Sequence, residues 1–149
     1  MTMEWHRGTY TVTTDRSRVD LDVVDGYLTQ SYWCAGIKLE TVRQAVANSI
    51  PFSLLEGEKQ IGYARVITDS ATIAYLGDVF VLPEHQGKGL GVWLIECVMA
   101  HPDFHGLRRW ILLTRDAHSL YEKYGFTPIA KPDRWMEKHD PGVYERGER

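Results

Sequence analysis

Apolar and polar positions repeat with two different periods along this chain, and the places where the period changes mark its elements. Tyr10 to Thr14 (YTVTT) is a run of β-branched and aromatic residues and reads as a strand. Asp15 and Ser17 then offer N-caps for a helix carrying Val19, Leu21, Val23, Val24 and Leu28. Thr29 to Lys38 (TQSYWCAGIK) loses the helical period and reads as a loop. Leu39 to Asn48 regains it, with Leu39, Val42, Val46 and Ala47 at helical spacing, and Pro51 ends it. Phe52–Leu55 and Gln60–Thr68 are apolar runs joined by Glu56-Gly57-Glu58, the mark of a hairpin. A turn at Asp69-Ser70 leads into a further antiparallel strand, Thr72 to Leu82, so the strands form a meander.

Beyond Pro83 the pattern changes. Pro83 to Gly91 is rich in glycine, and Val92 to Met99 is apolar and helix-forming until His101-Pro102. Arg109–Thr114 (RWILLT) predicts a buried strand, and Ala117–Tyr124 a short helix closed by Gly125. Phe126–Ile129 predicts a last strand, and Arg134–Glu137 a weak edge. The predicted order, βααβββαβαβ, is that of a mixed α/β layer fold. No repeat or linker divides the chain, so 1–149 is expected to be one domain, with a core over about residues 8–138 and a polar tail, 139–149, frayed or draped.

Composition narrows the function. The 149 residues are 44% hydrophobic and 25% charged, ordinary for a globular domain with one sizeable core. Seventeen Lys+Arg against twenty Asp+Glu give a formal charge of −3, which argues against a dedicated nucleic-acid binder. No apolar run is long enough to span a membrane and no secretory signal is visible, so no membrane partner and a cytoplasmic location are expected. Two cysteines, Cys34 and Cys97, read as reduced thiols, and no ligand spacing suggests a metal.

The informative stretch is Val79-Phe80-Val81-Leu82-Pro83-Glu84-His85-Gln86-Gly87-Lys88-Gly89-Leu90-Gly91-Val92, a strand, a glycine loop and a helix start. Glycine lets backbone approach a ligand closely, and free N–H groups at a helix N-terminus favour an anion. The P-loop pattern is absent because Gly89 follows Lys88, and Gly87, Gly89 and Gly91 give G-x-G-x-G instead of the dinucleotide G-x-G-x-x-G.

These residues resemble the acyl-CoA loop of the GNAT acetyltransferase superfamily, Q/R-x-x-G-x-G/A, with Gln86, Gly89 and Gly91 in its fixed places. Downstream, Ala117-His118-Ser119-Leu120-Tyr121-Glu122-Lys123-Tyr124-Gly125-Phe126 resembles the family's A-x-x-L/F-Y-x-x-x-G-F helix, and the element order matches over nearly the whole chain. The resemblance implies a GNAT acyl-CoA N-acyltransferase fold with a splayed central sheet. Acetyl-CoA would be its cosubstrate, and no metal is implied. Backbone amides of Gln86, Gly87, Lys88, Gly89, Leu90, Gly91 and Val92 would hold the pyrophosphate, while backbone around Phe80 and Val81 would pair with the pantetheine arm. Lys88 either adds charge to the phosphates or is a solvated loop lysine.

Transfer to an amine by direct attack needs a neutral amine, a polarised thioester and a proton for the departing thiolate. Tyr121 matches the family's general acid; Tyr124 and His118 are weaker candidates. Tyr75–Val81 resembles the strand of the polyamine acetyltransferases, but Gly77 replaces their glutamate. Asp78 is the remaining carboxylate there, and is read as a general base, a structural residue, or an attractor for a cation. Thr114 stands where many members have asparagine, and Asp116 is expected to replace part of its bonding to the CoA arm. Glu84 and His85 read as exposed loop residues. Tyr32 and Trp33 would line the acceptor site, with core packing as the alternative for Trp33. The expected function is acetyl transfer from acetyl-CoA to a small-molecule primary amine. Protein or peptide N-acetylation and a non-catalytic CoA-binding regulatory module are the alternatives. An open sheet edge near the C-terminus would permit a homodimer.

Overall fold

The computed structural model describes residues 1–149. Six strands form one open sheet in the order β1-β2-β3-β4-β5-β6. They are β1 (Glu4–Arg7), β2 (Tyr10–Thr13), β3 (Ile50–Glu56), β4 (Lys59–Thr68), β5 (Ile73–Val81) and β6 (Arg109–Leu112). Helices α1 (Leu21–Leu28), α2 (Leu39–Ala47), α3 (Leu90–Met99) and α4 (His118–Glu122) complete the mixed α/β architecture. Each pair of neighbouring strands is antiparallel except β5 and β6, which are parallel.

Both faces of the sheet are covered, which is why β4 reads as a nearly unbroken apolar run. One face buries Phe52, Leu54, Ala64, Val66 and Leu76 against Trp93, Leu94, Ile95 and Val98 of α3. The other sets Tyr63 and Phe80 against Val24, Leu28, Val42 and Val46 of α1 and α2, with Tyr27 stacked on Phe80 at 4.1 Å. The start of α1 is fixed by buried Gln60, whose Oε1 accepts from the Asp20 N–H at 2.7 Å while its Nε2 donates to Ser53 Oγ and the Gly62 carbonyl.

Four expectations need correction. The observed order is ββααβββαβα, because Glu4–Arg7 adds an edge strand that turns back at Gly8, where φ is +57°. Asp15 caps only a 3₁₀ turn, Arg16–Arg18; α1 begins later, where the Asp20 carboxylate accepts from the N–H groups of Asp22 and Val23. Phe126–Ile129 is not a strand: Pro128 has no N–H for a ladder, and the segment is held by the Phe126 ring packing on Tyr121 and Trp110. Arg134–Glu137 makes no edge strand either, since Pro132–Arg134 closes into a 3₁₀ turn. The tail is draped: Tyr144 packs beside Gly36, and Lys38 Nζ donates to the Gly147 carbonyl at 2.6 Å.

The sheet opens where the chemistry is expected. Pairing of β5 with β6 runs only from Ile73–Arg109 to Leu76–Leu112. From Gly77 to Val81, β5 has β4 on one side and no strand on the other. The register between β4 and β5 shifts between Tyr63 and Arg65, and Asp78 takes φ +53°, a left-handed conformation unusual for a non-glycine residue. The bulge and the end of the parallel pairing together form the splay.

Candidate active site

The glycine loop follows directly from the splayed half of β5. Gly87 and Gly89 adopt φ of +82° and +76°, and a Cβ at either would meet nothing within 4 Å. The backbone therefore needs glycine for its conformation, while the space over it stays open. Gly89 is the N-cap of α3 and supplies no capping side chain. None of the six N–H groups from Gly87 to Val92 has an acceptor in the protein. Free donors and the helix dipole converge there, the arrangement that receives phosphate.

The loop borders a cleft of ≈ 370 Å³ lined also by Val81, Ser119, Leu120 and Lys123. Gln86 turns its side chain back to donate to the Val81 carbonyl at 2.9 Å, so it braces the loop against β5. Leu90 is buried in the core and offers the cleft only its N–H. Lys88 is exposed and unpaired, free to approach a bound anion. His85 is not the exposed loop residue expected: the 3₁₀ turn Pro83–His85 tucks its ring inside, with both nitrogens buried and without partners.

Tyr121 lies on α4 and is 7% exposed, yet its hydroxyl donates to no protein atom and is not sealed off. Burial, helped by neighbouring Tyr32, pushes its pKa up to about 12, so the hydroxyl stays protonated at neutral pH. Tyr124 has its hydroxyl on the Val92 carbonyl at 3.3 Å, a structural employment. His118 is exposed and makes no hydrogen bond. Asp116 is exposed with its carboxylate 3.8 Å from Arg115, while Thr114 Oγ1 accepts from the Ala117 N–H. A larger cavity of ≈ 580 Å³ runs along β6 and is lined by Tyr121; it does not touch the glycine loop.

On the other side of β5, the loop between α1 and α2 meets the bulge. Trp33 is partly exposed and donates from Nε1 to Asp78 Oδ1 at 3.0 Å, so it is not a core plug. The Cys34 thiol lies 3.8 Å from the same oxygen, and Arg65 Nε donates to Asp78 Oδ2 at 2.8 Å. Tyr32 packs edge-on against Trp33 at 5.0 Å, and the Arg115 guanidinium lies 4.0 Å over the Tyr32 ring. The structure thus joins Asp78, Trp33 and Tyr32, with Tyr121 neighbouring Tyr32. At Gly77 a Cβ would come within 3.0 Å of the Tyr75 ring, so that ring occupies the place of a side chain there.

Sequence reasoning missed Arg65, Tyr75 and Arg115. For Arg65 a signal existed: it is the one charge inside IGYARV, a stretch otherwise buried on both faces.

Burial also raises both thiols, Cys34 and Cys97, to about 12 from 9.0. Neither is a thiolate at neutral pH. In the unfolded chain these thiols ionise near pH 9 and Tyr121 near 10, while the folded protein keeps the protons. Their contribution to stability should therefore be constant below pH 9 and fall as pH rises toward 12, by about 1.4 kcal/mol per pH unit for each group titrating. Urea unfolding at pH 8, 9, 10 and 11 measures this; a constant stability to pH 11 would contradict the burial of these protonated groups.

The family model described as the acetyltransferase (GNAT) domain matches residues 47–128. A candidate acetyltransferase of Gibberella zeae is 33% identical, over 80% of this chain and 79% of its own length. The crystal structure of a candidate GNAT-family acetyltransferase from Xanthomonas campestris pv. campestris is 46% identical and superposes with a TM-score of 0.90, covering 93% of this chain and 99% of that one. A Clostridium acetobutylicum protein solved with acetyl-CoA is 16% identical with a TM-score of 0.62, over 97% of this chain and 98% of its own, a likeness of fold.

Proposed function

The chain belongs to the GNAT family of acetyltransferases, and from that premise we propose that it transfers the acetyl group of acetyl-CoA to the primary amine of a small molecule. The observation that carries the reading is the row of six unpaired N–H groups from Gly87 to Val92 beside the splayed half of β5. Those donors suit a pyrophosphate, and the unpaired flank of β5 is where a pantetheine arm can lie along Phe80 and Val81. No group of three or more acidic, Cys or His side chains is arranged to hold a metal ion. No helix is long and apolar enough to cross a membrane.

The amine attacks the thioester carbonyl carbon, the C–S bond breaks, and the sulfur takes a proton. Tyr121 supplies it, being protonated at neutral pH with a hydroxyl free of other partners. Asp78 accepts from Arg65, Trp33 and Cys34 at once. A carboxylate so engaged suits holding Trp33 and Arg65 in place better than taking a proton from the amine. The acceptor then enters as the neutral amine and sheds its proton to water.

The test is calorimetric titration of ligand-stripped protein with acetyl-CoA and CoA, followed by thiol release over an amine panel. Micromolar affinity with thiol release on small amines is expected. Release only with peptides would move the reading to protein N-acetylation, and binding without release to a regulatory CoA module.

A further inference from the structure

One charge beside the splay has no part in the chemistry just described. Arg65 stands opposite Gly77 in the β4–β5 register, so both residues face the same side of the sheet. Its side chain is 18% exposed and spends only Nε, on Asp78. The two terminal nitrogens donate to nothing in the protein, and neither is sealed from solvent. A guanidinium has five N–H donors in a fixed fork, so four are unspent. Its partner Asp78 also takes the Trp33 Nε1–H and lies 3.8 Å from the Cys34 thiol, so the guanidinium stands beside the aromatic loop.

We propose that Arg65 takes an oxyanion of the acceptor, so that the substrate is an amine that also carries a carboxylate or a phosphate. The proposal deepens the acetyltransferase reading and rests on it. A plain or polycationic amine finds little to hold it: Gly77 offers no carboxylate, and Asp78 is 10% exposed with its oxygens committed. Asp116 is exposed and sits beside Arg115. An oxyanion on the free edge of Arg65 meets paired N–H groups at the right spacing for two parallel bonds. Tyr32 and Trp33 then flank the rest of the molecule. Two-point holding leaves the amine to be presented toward the splay.

The experiment uses matched pairs: phenethylamine against phenylalanine, and ethanolamine against phosphoethanolamine. Each is measured by thiol release and by calorimetry on CoA-loaded protein. In at least one pair the anionic member should be preferred in kcat/KM roughly ten- to a hundredfold, the size expected of a charge-assisted pair. The pair that responds distinguishes carboxylate from phosphate. Arg65→Lys keeps a cation for Asp78 but loses the fork, and should reduce that preference to a few-fold with acetyl-CoA affinity unchanged. Arg65→Met combined with Asp78→Asn removes both charges together, leaving no buried carboxylate unpaired if the lysine variant folds poorly.

Equal use of both members, or a preference that survives both variants, overturns the assignment to Arg65 while leaving the transferase reading intact. Failure of both anionic members to bind CoA-loaded protein overturns it as well. Binding through Arg65 with no acetylation of any amine upholds the oxyanion site and overturns the transferase reading instead.

Discussion

Replacing Gly89 by glutamate is expected to remove acetyl-CoA binding altogether, by more than about 10³-fold and so beyond calorimetric detection. Gly89 holds φ +76° as the cap of α3, and a Cβ there has open space. A substitution therefore does not crowd the core. It forces an L side chain into the left-handed region, at about 1–2 kcal/mol, and places a carboxylate on the donors meant for phosphate. Gly89→Ala separates the two effects: it carries the strain without the charge, and should lose about tenfold in affinity with the fold retained. Circular dichroism and melting establish that both variants fold. A folded glutamate variant binding within tenfold of the parent would sink the assignment of the loop.

That loop was legible in the sequence because its signal is local. Three glycines after a strand and before an apolar helix need no tertiary contact to be recognised, and the hairpin at Glu56-Gly57-Glu58 is of the same kind. What escaped depended on long-range geometry. β1 is an exposed edge with Trp5 as its main anchor, stacked on Phe52 at 6.0 Å, so its residues show little alternation. Phe126–Ile129 has strand composition, but Pro128 denies it a ladder. The pairing of Arg65 with Asp78 follows from a bulge and from the positive φ of Asp78, neither of which its residue types announce. His85 sits among loop-forming neighbours and is buried only because a 3₁₀ turn folds it inward. Local chemistry marked the glycine loop and the aromatic pair Tyr32-Trp33, while the Arg65–Asp78 pair beside them emerged only once distant strands were in register.

Replacing Tyr121 by phenylalanine should lower kcat by about 10²- to 10⁴-fold while leaving the Kd for acetyl-CoA within about twofold. The ring is 7% exposed and packed against Phe126, so phenylalanine fills the same space and removes only the hydroxyl. With its pKa raised to about 12 by burial, that hydroxyl loses no activity through its own ionisation below about pH 11. A fall in kcat at lower pH belongs to another group and should be unchanged in the variant. Tyr124→Phe is the control: its hydroxyl is held by the Val92 carbonyl, and its loss should cost only a few-fold. Protonation of the leaving group matters less as the thiol becomes more acidic. An aryl thioester in place of acetyl-CoA should therefore narrow the gap between parent and Tyr121→Phe, a response that misplaced packing would not give. If kcat survives within a few-fold, or the gap is indifferent to the leaving group, the thiolate departs without help from Tyr121.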